Sequence, residues 1–103
     1  MGDKKLKKMV EVLQVLANPI RLKIIAMLAE RPMYAYEIAK KLKISYPLAH
    51  LHLSSLERAG LIKSEYSLSG EEAPKVRRYY RVKDFDIRIT PETIKKLVEG
   101  DKK

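Results

Sequence analysis

No cysteine occurs among the 103 residues, so disulfides, thiolate metal sites and cysteine nucleophiles are all excluded. Glycine is scarce too: 4 residues, dispersed along the chain, offer no phosphate-cradling loop. No Ser-His-Asp set or paired-carboxylate motif is present, and the adjacent Glu71 and Glu72 fall where a hairpin tip would leave them in solvent. The sequence therefore does not read as an enzyme, and it offers no cofactor site. The longest apolar run, Ile24 to Ala29, is far shorter than the roughly 20 residues a membrane span needs. Met1 to Lys8 is lysine-rich with no secretory apolar segment behind it, so a cytoplasmic protein with no membrane partner is expected.

Positive charge, by contrast, is abundant. The 22 Lys and Arg residues outnumber the 13 Asp and Glu, giving a formal net charge of +9 and an isoelectric point near 9.8, which favours a polyanionic partner. The length suits a single domain, residues 1–103, with one modest core that dimerisation would reinforce.

Periodicity predicts a mainly α architecture with one β-hairpin. Lys4 to Ala17 reads as a first helix, with Leu6, Met9, Val10, Leu13, Leu16 and Ala17 at three- and four-residue spacing and with Val12 and Val15 widening the apolar arc. That surplus has two readings. Either the helix lies deep in its own domain, or Leu6, Met9, Val12 and Val15, joined by Leu97 and Val98 of the last helix, meet a second copy. Pro19 opens a second helix that Arg31-Pro32 ends, and Met33-Tyr34 makes a short strand. Tyr36, Ile38, Ala39 and Leu42 mark a third helix stopping near Lys43, so residues 35–59 form a helix-turn-helix.

Two alternating stretches, Leu61 to Leu68 and Val76 to Lys83, flank a turn-rich tip and predict a hairpin over 61–83. In the return strand Val76, Arg78, Tyr80 and Val82 share one face while Arg77, Tyr79, Arg81 and Lys83 share the other. Phe85, Ile87 and Ile89 alternate as a further short strand, and Thr90-Pro91 starts a last helix running to Gly100.

The richest stretch is Ser45 to Ile62. Ser45 can cap a helix whose first turn tolerates Pro47, Ala49, Leu53 and Leu56 make one buried stripe, and Ala59-Gly60-Leu61 turns the chain into a strand. Ser45, Pro47, His52, Leu53, Leu56, Ala59, Gly60 and Leu61 match the Ser-Gln-Pro-x-x-Ser-x-His-Leu-x-x-Leu-x-x-Ala-Gly-Leu pattern of the arsenical-resistance-operon repressor (ArsR-type) family. Upstream, Leu16 to Leu22 followed by Ile24, Ile25 and Leu28 resembles that family's Leu-x-x-Pro-x-Arg-x-x-Ile-Leu signature. Residues 85–92 look like the tail of archaeal-type members. The resemblance implies a winged helix-turn-helix that binds double-stranded DNA as a homodimer and regulates transcription, most simply as a repressor. The alternative is a winged helix serving protein or RNA contacts.

With the stripe inward, helical geometry turns Pro47, His50, Leu51, Ser54 and Arg58 outward, and Tyr46 and Leu48 join Ser45 at the first turn, where base edges are met. By resemblance Tyr46 stands at the family's glutamine and His50 at its serine. Leu48 and Leu51 could meet thymine methyl groups or be exposed leucines in an unusual packing, and only Arg58 offers a fork for bidentate readout. Phosphate contacts therefore fall to Lys40, Lys41 and Lys43 near the turn, Lys63 at the start of the hairpin, and Lys75, Arg77, Arg78 and Arg81 in its return strand. His50 and His52, two residues apart on a helix, point about 200° from each other and cannot chelate one ion. His52 beside the stripe reads as a packed structural histidine. The family's metal sensors use cysteines in the third helix or His and carboxylate sets in the last, and neither set is present. No effector is legible.

Overall fold

The computed structural model describes residues 3–69 and 75–100, so Glu71, Glu72 and the Lys75 side chain lie outside the described parts. Eight elements follow in order: α1 (Asp3–Leu16), α2 (Pro19–Glu30), β1 (Met33–Tyr34), α3 (Ala35–Leu42), α4 (Tyr46–Arg58), β2 (Ile62–Ser69), β3 (Lys75–Val82) and α5 (Pro91–Glu99).

The helix starts are written in side chains that satisfy otherwise orphaned backbone donors. Asn18 caps α2, its Oδ1 accepting from the amides of Ile20 (2.9 Å) and Arg21 (3.2 Å), and Pro19 fills the first turn, where no amide is missed. Ser45 Oγ accepts from the Leu48 amide at 3.2 Å to start α4. Thr90 and Thr93 cap α5 reciprocally: Thr90 Oγ1 accepts from the Thr93 amide and Thr93 Oγ1 from the Thr90 amide. At α3 the work passes to Glu37, whose carboxylate accepts from the Tyr34 amide at 3.3 Å. The Arg31 guanidinium, 2.8 Å away, holds that carboxyl below the usual carboxylate range.

Among the described residues the backbone turns to positive φ at Lys43, Gly60 and Gly100, and the first two flank α4. Gly60 (φ 81°) ends α4, with the Leu61 amide bonded back to the Leu56 carbonyl at 3.0 Å; an added Cβ would meet nothing within 4 Å, so glycine is required by conformation rather than by space. The turn from α3 to α4 places Lys43 at φ 57°, left-handed without being a glycine.

The sheet is antiparallel in the order β1-β3-β2, with Met33 opposite Tyr80 and Ile62 opposite Val82. The helices and the base of the hairpin close over a core that includes Val12, Ile24, Leu28, Ile38, Leu53, Leu56, Ile62 and Tyr80. Each large aliphatic side chain there contributes on the order of 1.5–3 kcal/mol by leaving water.

Four sequence-based expectations change. Val12 belongs to the protomer's own core (8% exposed) and Val15 packs partly buried against it, so neither supplies the surplus arc of α1. Val10 and Leu13 stand outward instead, at 44% and 39%. Tyr36 is exposed while its neighbour Ala35 is buried, because the inward stripe of α3 is Ala35, Ile38, Ala39 and Leu42. The apolar face of β3 holds only at the base of the hairpin: Tyr80 is buried, but Val76 is exposed where the wing projects past the body. Finally, no strand forms at 85–89. Phe85 and Ile87 instead pack irregularly against the core, and Ile89 remains exposed.

Candidate nucleic-acid interface

The candidate surface is built on α4, which is held from behind. Ala49, His52, Leu53 and Leu56 face the core. Arg21, placed by the Asn18 cap, donates from Nε to His52 Nδ1 at 3.0 Å and from Nη1 to the Val15 carbonyl at 3.3 Å, tying α1, α2 and α4 together. Because Nδ1 accepts, the neutral ring carries its proton on Nε2. Burial first, then the nearby Arg21 cation, hold the His52 pKa below its ordinary value.

A depressed histidine contributes stability that is complete above the unfolded-state pKa of about 6.5 and is lost as pH falls below it. Thermal melts should therefore drop between pH 7.5 and 5, and His52→Gln, which removes the titrating group and retains an acceptor, should flatten that dependence. Equal slopes in the two proteins would assign the acid sensitivity to other groups.

The outward face of α4 is as expected. Tyr46, Pro47, Leu48, Leu51 and Arg58 are exposed, His50 and Ser54 are half-buried, and Ser45 is exposed at the cap. Tyr46 and His50, one turn apart, lie with ring centroids 6.0 Å apart. A cavity of about 400 Å³ lined by Tyr34, Tyr36, Tyr46, His50, Arg77 and Arg78, among others, joins the start of α4 to the start of α3 and to the wing. The first turn of α4 and the basic return strand thus share one cleft.

Within the wing the cations have unequal freedom. Arg77 lies over the Tyr34 ring at 4.8 Å in a cation–π contact, and the residue is half-buried. Arg81 pairs with Glu65 at 2.7 Å, but both side chains are about half exposed, and such a surface pair is worth under about 1 kcal/mol and opens readily. Lys63 and Lys43 are exposed.

Arg78 differs from its neighbours. Its Nη2 lies 3.0 Å from Glu57 Oε1, its Nε donates to Ser64 Oγ at 3.0 Å, and Ser64 in turn donates to Glu57 Oε2 at 2.8 Å. The guanidinium also lies over Tyr80 at 5.0 Å and Tyr66 at 5.9 Å. This closed triad locks β2 and β3 onto the last turn of α4. Sequence reasoning took Arg78 for a phosphate contact and missed Glu57 and Ser64, which stand 21 and 14 residues before it.

His50 and His52 diverge as the helical repeat requires, and among the described residues no three His, Asp or Glu side chains are placed to hold a metal ion. No single helix among those residues is long and apolar enough to cross a membrane.

A helix-turn-helix followed by a two-stranded wing, with the basic strand beside the first turn of the second helix, is a winged helix-turn-helix of the DNA-binding kind. Residues 18–64 match the model of the bacterial regulatory protein, arsR family. The chain is 41% identical over 97 residues to an uncharacterized HTH-type transcriptional regulator of Methanocaldococcus jannaschii, covering 94% of this chain and 99% of that protein. In fold it is similar to the homodimeric winged helix-turn-helix DNA-binding domain of a possible ArsR-family transcriptional regulator from Mycobacterium bovis, with a TM-score of 0.65 and 26% identity over 78% of this chain and 68% of that one. Reduced HlyU from Vibrio cholerae shares the fold at a TM-score of 0.62 and 23% identity, over 94% of this chain and 88% of the other. The chain belongs to the ArsR family of transcriptional regulators.

Proposed function

We propose that the chain acts in the cytoplasm as a homodimeric, sequence-specific repressor, with α4 in the major groove and the wing along the flanking backbone. The observation that carries this reading is the shared cleft: Tyr46 and His50 of α4 and Arg77 and Arg78 of β3 line the same space, so one duplex can meet both. Lys43, Lys63, Lys75, Arg77 and Arg81 serve the phosphates, and Arg78 serves the wing's position. Two subunits are supported by helices α1 and α5, which pack on each other and leave Val10, Leu13, Ile94 and Val98 in solvent. Leu6, Met9 and Leu97, each half-buried, border that face.

A symmetric dimer spanning one side of B-form DNA sets its two recognition helices about 34–36 Å apart. Footprinting on a duplex selected from random sequence should then show two protected half-sites one helical turn apart, related by a palindrome. A single unsymmetric footprint, or none, would remove the dimeric repressor reading.

A further inference from the structure

Three large apolar side chains stand in solvent on the outer face of α4: Tyr46 at 52%, Leu48 at 37% and Leu51 at 57% exposure. Leu48 and Leu51, three residues apart, lie together on the first two turns. On a helix that enters the major groove, these are the turns that reach base edges. Their surroundings are poor in base-reading forks. Arg58 is the one guanidinium on α4, in its last turn, and the helix has no asparagine or glutamine.

Exposed leucines cannot satisfy the donors and acceptors on guanine, adenine or cytosine. The major groove presents one apolar group, the 5-methyl of thymine. The cations around the leucines select a polyanion over an apolar protein surface: Lys43 lies just before the helix, and Arg77 lines the cleft that Tyr46 borders. Resting on the DNA-binding function proposed above, we infer that Leu48 and Leu51 read thymine methyl groups, so that each half-site is thymine-rich where the first half of α4 enters. Specificity then comes from apolar contact rather than from bidentate hydrogen bonds.

The test removes the methyl group and nothing else. A duplex recovered by selection with the 103-residue chain is resynthesised with deoxyuridine at single thymines of the half-site, which retains every hydrogen-bonding group. Each contacted thymine should weaken binding about fourfold on this change, the factor that burying one methyl-sized group is worth. In Leu51→Ala, uracil at the thymine Leu51 meets should cost nothing further, while uracil at the Leu48 thymine still costs about fourfold; that non-additivity assigns each contact. The exposure of Leu51 lets the variant fold, and its melting curve checks this. Selected half-sites without thymine, uracil duplexes bound as tightly as thymine duplexes, or a uracil penalty intact in both Leu48→Ala and Leu51→Ala would each overturn the inference while leaving DNA binding in place. A selection that enriches nothing would overturn the DNA-binding function itself, and this inference with it.

Discussion

Val12→Glu is expected to leave the chain unfolded, whereas Val10→Glu with Leu13→Glu, on the same helix, is expected to leave it folded and monomeric. Val12 sits among the core side chains at 8% exposure, so a glutamate there must either ionise after losing most of its water, drawing Lys8 one turn away off the Ala59 carbonyl, or hold its proton at a cost. Either route costs several kcal/mol, added to the lost packing of the valine. A domain of this size has a margin of about 5–15 kcal/mol. Val10 and Leu13 already face solvent, so glutamates there cost the protomer little and place like charges across the proposed two-fold axis. Circular dichroism melts and sedimentation at micromolar concentration separate the outcomes. A cooperative melt in Val12→Glu would contradict the core assignment, and a dimeric Val10→Glu, Leu13→Glu double variant would move the interface elsewhere.

Arg78→Ala is expected to weaken DNA binding about tenfold while leaving its salt dependence nearly unchanged. Arg77→Ala should instead reduce the slope of log affinity against log salt by about 2 for a dimer, one released counterion per subunit. The contrast follows from what each guanidinium touches. Arg78 spends its fork on Glu57 and Ser64 and acts by holding the wing at the angle α4 requires; Arg77 is held by an aromatic face and retains its charge for a phosphate. A charge-assisted, partly buried hydrogen bond is worth about 1.5–3 kcal/mol, and with about a third of each partner's side chain exposed the lower end applies, hence the tenfold figure. Glu57→Gln should reproduce the Arg78→Ala affinity loss although it removes a negative charge, an effect opposite to simple electrostatics. A slope that falls by about 2 in Arg78→Ala would instead assign Arg78 to the phosphates.

Elements defined by local chemistry were legible in the sequence. Ser45, Pro47 and Gly60 bracket a helix expected within residues 46–59 and found at Tyr46–Arg58, and the alternating stretches place the hairpin within a residue or two. His52 was correctly placed inward because its angular position beside the stripe follows from the helical repeat alone. The phase of α1 was not legible. Leu6, Met9, Val10, Val12, Leu13, Val15 and Leu16 occupy so much of its circumference that the pattern cannot say which arc a body of unknown shape will cover. The alternation at Phe85, Ile87 and Ile89 misled for a related reason: alternate apolar residues can pack on a core from an irregular segment as well as from a strand, and the pattern alone does not say whether the backbone pairs. The Glu57–Ser64–Arg78 triad was out of reach because its members come from two elements and a return strand that meet only in three dimensions.

The left-handed lysine in the turn between α3 and α4 bears on how this protein would respond to engineering. A side chain in that conformation costs roughly 1–2 kcal/mol, most of which a glycine or asparagine would recover. A library screened only for heat resistance would therefore converge on Lys43 and replace it, gaining degrees of melting temperature. In the proposed binding mode the same change would delete a phosphate contact just before α4. If the proposed contact operates, thermostability and operator affinity are set against each other at this one backbone angle, and a stabilised variant of this regulator is to be sought by changes elsewhere, with Lys43 held fixed.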